Sequence, residues 1–194
     1  MRFKPKSCTG ADDTVKGDVD LLLIGDSIVR WVDPSKVIGE GKVSEHVCMP
    51  GKKTSDIKER LKEESSKFNF SKIVIHCSSN NIPQDPPAKV ALDVMSLAKS
   101  AKANHPNAKI YVSAVLPKIN SNYLPGIDEV NQRLFQGQGH VGYHLIQHPQ
   151  FCSNRQFDFG MFSKIEVEKR RPIHLNHNGI VNFARNIKLC IKNM

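Results

Sequence analysis

Apolar positions along this chain fall into two patterns, short unbroken runs and longer stretches with a one-sided stripe. Leu21-Leu22-Leu23-Ile24 is an unbroken run, as expected of a strand covered on both faces. Shorter apolar clusters within 43–49, 72–77, 108–116 and 141–146 predict four more strands, the second closed by Pro50-Gly51 and the fourth stopped by Pro117. Stripes lie between them. Residues 54–68 predict a charged helix with Ile57 and Leu61 four apart, and 87–104 puts Val90, Val94, Leu97, Ala98 and Ala101 on one face. A helix over 126–135 carries Val130 and Leu134, and a last helix from about residue 178 turns Ile180, Phe183, Ala184, Ile187, Cys190 and Ile191 inward. This alternation predicts a three-layer α/β domain with a mainly parallel, five-stranded sheet. Residues 1–18 are polar and aperiodic and read as a tail, which leaves 19–194 as a single domain. The stretch 149–172 has little periodicity and reads as a long functional loop.

Composition narrows this picture modestly. A chain of 194 residues can build a core without staples. Its five cysteines are odd in number and contain no Cys-x-x-Cys pair; Cys48, Cys77 and Cys190 lie in apolar runs. They read as buried, reduced thiols of a cytoplasmic protein. The basic N-terminus is not followed by an apolar signal core, and no apolar stretch is long enough for a bilayer, so secretion and membrane spanning are disfavoured. A net charge of +9 attracts nucleic acid, anionic lipid or acidic substrates without ranking them, and it also aids solubility. His140, His144 and His148 recur every four residues but straddle a predicted strand, where that spacing does not converge on one metal ion.

The candidate chemistry sits where predicted elements end. Gly25-Asp26-Ser27 follows the first buried strand, and Ile28-Val29 with Trp31 predicts a helical turn after it. A serine there stands at the carboxyl end of a sheet, where open α/β folds bind ligands, with its amide near a helix N-terminus. His174, just before the last helix, is the candidate base. The amide of Gly51 after the second strand and the side chain of Asn80 after the third are candidate oxyanion donors. Lys52, Lys53, Lys169, Arg170 and Arg171 flank these positions and are candidate contacts for an anionic ligand.

Four blocks, Gly25-Asp26-Ser27, Pro50-Gly51, Ser78-Ser79-Asn80-Asn81 and Ile173-His174-Leu175-Asn176, together resemble the ordered blocks of the SGNH (GDSL-type) hydrolases. The resemblance covers essentially 18–194. It implies a flavodoxin-like sheet, no cofactor, and hydrolysis of lipid, sugar or small acyl esters. It further implies Ser27 as nucleophile, His174 as general base, and an oxyanion hole from the amides of Ser27 and Gly51 and the side chain of Asn80. Two positions depart from the family. Ser78 stands where glycine is usual and is expected to crowd the turn that presents Asn80. Arg171 stands where the family carries aspartate, so the base would form a Ser-His dyad, oriented by a backbone carbonyl or by Glu166, Glu168 or Asp158.

Ile82-Pro83, Val115-Leu116-Pro117, Val130-Asn131-Gln132 and the stretch from His174-Leu175-Asn176 to Ala184-Arg185-Asn186-Ile187 resemble more narrowly the esterase domain of the first-open-reading-frame protein of LINE-type retrotransposons. That resemblance implies an ester substrate, contact with lipid or a membrane surface, and self-association through regions outside this chain. The germ-plasm protein Oskar, an SGNH fold that binds RNA without catalysis, is a second comparison. It implies the alternative of a decayed hydrolase that binds RNA or anionic membrane through a basic surface.

Overall fold

The structure, a computed structural model, describes residues 16–117, 124–153, 156–164 and 174–193. In chain order its main elements are β1 (Gly17–Val19), β2 (Leu21–Gly25), a 3-10 turn (Ser27–Trp31), α1 (Pro34–Ile38), β3 (Ser44–Cys48), α2 (Thr54–Lys67), β4 (Phe68–Phe70) and β5 (Lys72–His76). They continue with α3 (Pro87–Asn104), β6 (Lys109–Ser113), α4 (Leu124–Val141), β7 (Tyr143–Ile146) and a helix labelled α5 (His177–Lys192). The strands β3-β2-β5-β6-β7 form one sheet, and every pairing in it is parallel. The predicted five-stranded α/β architecture is therefore the one observed.

Side chains alternate across this sheet and sort into two cores. Leu22, Ile24, Ile73, Ile75, Ile110 and Val112 belong to one core with Ile57 and Leu61 of α2, Val90, Val94 and Leu97 of α3, and Val130 and Leu134 of α4. Leu21, Leu23, Val74, Tyr111 and Ile146 belong to the other, with Val37 of α1 and Phe183, Ile187 and Ile191 of α5. Because β2 has β3 on one side and β5 on the other, the chain reverses its direction of travel across the sheet at this point. A crevice between the carboxyl ends of β2 and β5 follows from that switch.

Several details differ from expectation. Residue 16 is ordered and β1 begins at Gly17, inside the stretch read as a tail; β1 pairs in parallel with β4 as a separate two-stranded sheet. Residues 1–15 lie outside the described residues. Helix α4 runs to Val141, well past 135, and the part beyond 135 carries two glycines, Gly137 and Gly139, that propensity counts against a helix. The stretch read as a loop from 149 holds a 3-10 turn (Pro149–Phe151), a short antiparallel pair, β8 (Cys152–Ser153) with β9 (Gln156–Phe157), and a second 3-10 turn (Phe159–Met161). Of the thiols, Cys77 is buried, whereas Cys48 and Cys190 are only half-buried; all three are free. Burial pushes Cys77 up to about 11. Among the described residues, no helix is long and apolar enough to cross a membrane.

Candidate functional site

Ser27 sits at the first position of the 3-10 turn that follows β2. Backbone bonds fix the end of that strand on both sides: Met49 N–H donates to Gly25 O at 2.8 Å and Asp26 N–H to His76 O at 3.1 Å. Gly25 is required by close approach, since a Cβ there would lie 2.3 Å from His76 O. Asp26 is buried, and its Oδ1 accepts Ile28 N–H at 3.0 Å, which caps the turn and fixes the backbone on either side of Ser27. Ser27 itself is half-buried.

The loops after β3 and β5 meet beside this turn. Gly51 has φ +73° and no atom within 4 Å of a Cβ built there, so backbone conformation, not crowding, calls for glycine. Asn80 Nδ2 donates to Lys52 O at 3.0 Å, linking the β5 loop to the residue after Gly51. An amide nitrogen carries two hydrogens, so this bond uses one donor of the pair.

Asn81 completes the link. Its Oδ1 accepts Thr54 N–H at 3.1 Å and Thr54 Oγ1–H at 3.0 Å, capping α2 from the neighbouring loop. Ser78 takes φ +88°, a left-handed conformation that favours glycine. Its buried hydroxyl lies 3.3 Å from Thr54 Oγ1 and 3.5 Å from Cys77 Sγ. The departure from glycine is accommodated as backbone strain offset by polar contacts.

His174 is half-buried and lies one residue before Leu175, which forms an antiparallel bridge with Phe162. Ser163 N–H donates to His174 O at 3.0 Å. Asn176 fastens the same stretch, its Nδ2 donating to Gly160 O at 2.7 Å and to Phe162 O at 2.9 Å, while its Oδ1 accepts Gly179 N–H at 3.0 Å as the cap of α5. A Cβ on Gly179 would lie 2.1 Å from Met161 O, so the helix start and the 159–161 turn are in direct backbone contact. Asp158, one acid considered for orienting the base, caps that turn through Gly160 N–H at 2.8 Å. Glu166, Glu168, Lys169, Arg170 and Arg171 lie outside the described residues. Ile28 and Val29, directly after Ser27, share one buried cluster with Leu175, directly after His174.

Lys52 is exposed beside Gly51, and Lys53 Nζ is hydrogen-bonded to Gln84 Oε1. The blocks around Val115 and Asn131 are physically joined: Asn131 Oδ1 accepts Val115 N–H at 2.8 Å and its Nδ2 donates to Val115 O at 2.9 Å. Next to this clasp a cleft of about 400 Å³ opens at the carboxyl ends of β6 and β7, lined by Leu116, Ile127, Phe135, Leu145 and His148 among others. It lies toward the far side of the sheet from Ser27, not over it.

The three histidines part company. His140 is exposed, His144 lies against Tyr111 with ring centroids 5.4 Å apart, and His148 is buried. His148 Nε2 is 2.7 Å from Ser113 Oγ, which is 2.8 Å from His76 Nδ1. Burial lowers the pKa of both imidazoles, that of His148 well below the ordinary histidine value. Sequence reasoning missed this buried group. The available signal was a histidine and a serine at the ends of two strands that are apolar after their first lysine.

No protein-family model matches the chain, and no curated protein matches it. Solved structures do. The chain is similar to a GDSL-like lipase from Bacteroides thetaiotaomicron, with a TM-score of 0.71 and 17% identity over 90% of this chain and 88% of that one. TesA gives a TM-score of 0.69 and 19% identity, covering 90% of this chain and 98% of that one. The OSK domain of Drosophila Oskar gives 0.67 and 15%, covering 88% of this chain and 87% of that one. At such identities the likeness establishes the fold, which is that of the GDSL-like lipases.

Proposed function

We propose that the chain is a carboxylic-ester hydrolase working through a seryl acyl-enzyme. The observation that carries this reading is the bond from Asn80 to Lys52 O, which ties the β5 loop to the Gly51 loop beside the Ser27 turn. His174 takes the proton from Ser27 Oγ as that oxygen attacks the acyl carbon. The amides of Ser27 and Gly51 and the second amide hydrogen of Asn80 hold the oxyanion. His174 then protonates the leaving alcohol, and water activated by the same imidazole releases the acid. The fold shared with a GDSL-like lipase supports the chemistry and a substrate among esters of short acyl groups or lipids. A place in a retrotransposon-encoded protein belongs to the same proposal, supported by the blocks around Val115 and Asn131.

Hydrolysis of p-nitrophenyl acetate tests it. Ser27→Ala and His174→Ala should each lower kcat/KM by about a thousandfold or more while the fold survives. Equal activity in all three proteins would sink the reading.

A second reading, a basic surface that binds RNA or anionic membrane, draws on α5. That helix carries Arg185, Lys188 and Lys192 and no acidic residue. Binding that weakens steeply with salt, without turnover that depends on Ser27, would favour it.

A further inference from the structure

We infer that Asn186, His148, Ser113 and His76 form a one-way hydrogen-bond chain whose last N–H faces Asp26, and that Ser113 and His76 are positioning residues for the Ser27 turn. The inference rests on the proposal that Ser27 is the nucleophile. Both ends of the chain set its direction.

At one end, Asn186 Nδ2 is 3.1 Å from His148 Nδ1. An amide nitrogen can only donate, so Nδ1 accepts and the neutral ring carries its proton on Nε2. Asn186 and Gln150 also pair reciprocally, Asn186 Nδ2 donating to Gln150 Oε1 at 2.8 Å and Gln150 Nε2 donating back to Asn186 Oδ1 at 3.3 Å. His148 Nε2–H then donates to Ser113 Oγ at 2.7 Å. The single hydroxyl hydrogen of Ser113 is left for His76 Nδ1 at 2.8 Å. His76 therefore carries its proton on Nε2, which lies 4.0 Å from Asp26 Oδ1.

At the other end, that carboxylate selects the same direction. Reversing every bond would turn a lone pair of His76 toward the lone pairs of Asp26 in a fully buried site. With the order described, an N–H dipole faces the carboxylate instead. The separation is too long for a hydrogen bond and acts as a charge–dipole contact. Neither Asp26 Oδ2 nor His76 Nε2 has a hydrogen-bond partner among the described residues, while Asp26 Oδ1 accepts Ile28 N–H.

Phe183 of α5 holds both rings in register, edge-on to His76 at 5.0 Å and stacked on His148 at 4.7 Å and 21°. Burial keeps both imidazoles neutral, as the chain requires. Asp26 Oδ1 is also the oxygen that caps the Ser27 turn, so the chain sets the orientation of the carboxylate on which that turn hangs. A reacting atom displaced by about 1 Å can lose on the order of a hundredfold in rate.

Two readouts test this on the full chain. In the wild-type protein, long-range nitrogen–proton NMR of the imidazoles should show His76 and His148 both as Nε2–H tautomers; an Nδ1–H tautomer at either would overturn the chain. With a fluorophosphonate probe, Ser113→Ala should lower the limiting rate of Ser27 labelling tenfold or more and leave the half-saturating concentration within twofold. Ser113→Thr, which keeps the hydroxyl, should recover most of that loss. Labelling of Ser113→Ala at the wild-type rate would overturn the positioning role. A wild-type protein that never labels at Ser27 would overturn that role together with the hydrolase reading, and the tautomers would still decide the chain.

Discussion

The two faces of the sheet are built on different principles. The face under α2, α3 and α4 is an aliphatic core, and its central strand positions, Ile24, Ile75 and Val112, are apolar and buried. The face under α5 matches it in burial, yet buries His76, Ser113, His148 and Asn186 beside Phe183. The strand positions of the first face need only volume and shape, and its buried polar pair, His105 Nε2 with Ser65 Oγ at 2.8 Å, lies between α2 and the end of α3. The second also needs every proton in place, because a buried polar group that loses its partner keeps its desolvation cost. The candidate chemistry lies above the more demanding face.

Substitutions on the two faces should separate these demands. Phe183→Ala should cost about 3–5 kcal/mol of stability in denaturant unfolding and also shift the imidazole resonances. Leu97→Ala, on the aliphatic face, should cost about 2–5 kcal/mol and leave those resonances in place. If both variants disturb the histidines equally, the contrast between the faces fails.

The pH profile comes next. Burial lowers the pKa of His76, His148 and the half-buried His46, which lie on the α5 side, and of His105 elsewhere. Below about pH 6.5 the unfolded chain takes up protons that the folded histidines refuse. Stability is thus full above that pH and falls as the pH drops toward the folded values, by up to about 1.4 kcal/mol per pH unit for each group. A His76→Gln and His148→Gln double variant should show a shallower acid slope than the parent; an unchanged slope would place the sensitivity elsewhere.

Smaller effects concern the loops. Asn176→Ala, which removes the α5 cap and two bonds to the 160–162 backbone, should cost about 1–2 kcal/mol and lower activity through His174. Ser78→Gly relieves about 1–2 kcal/mol of left-handed strain and loses a hydroxyl contact of about 0.5–1.5 kcal/mol. A net stabilisation of roughly 1 kcal/mol or less is expected; a clear loss would make the Thr54 contact the larger effect.

This contrast also explains what could be read in the sequence. Apolar clusters and the turn residues after them located the five strands of the main sheet, most plainly Leu21 to Ile24, because a strand covered on both faces leaves an unbroken run. The half-buried edge strand β3 shows none and was marked chiefly by the Pro50-Gly51 turn that closes it. The positions of Ser27, Gly51, Asn80 and His174 were legible as element ends. What joins them was not. The bond from Asn80 to Lys52 O and the clasp of Asn131 on Val115 use backbone partners that no side-chain pattern reveals. His76, Ser113 and His148 sit far apart in sequence and meet only through strand order and register, so each alone looked incidental. Nor did β1 and β4 stand out, since three residues are too few to show a period.

The pairing of β1 with β4 has a consequence for how the molecule can be attached to something else. As a small separate sheet it precedes β2 and β5 at the pole opposite Ser27, so that Gly17 is separated from Ser27 by ten residues of mostly extended chain, roughly 30 Å. Helix α5 runs back toward the same pole: Phe183 meets His76 near the carboxyl end of its strand, and Cys190, two turns later, lies by Tyr111. Gly17 and the end of α5 therefore both lie on the side away from the crevice. A tether, a fused domain or a solid support joined at either end would leave that crevice facing outward.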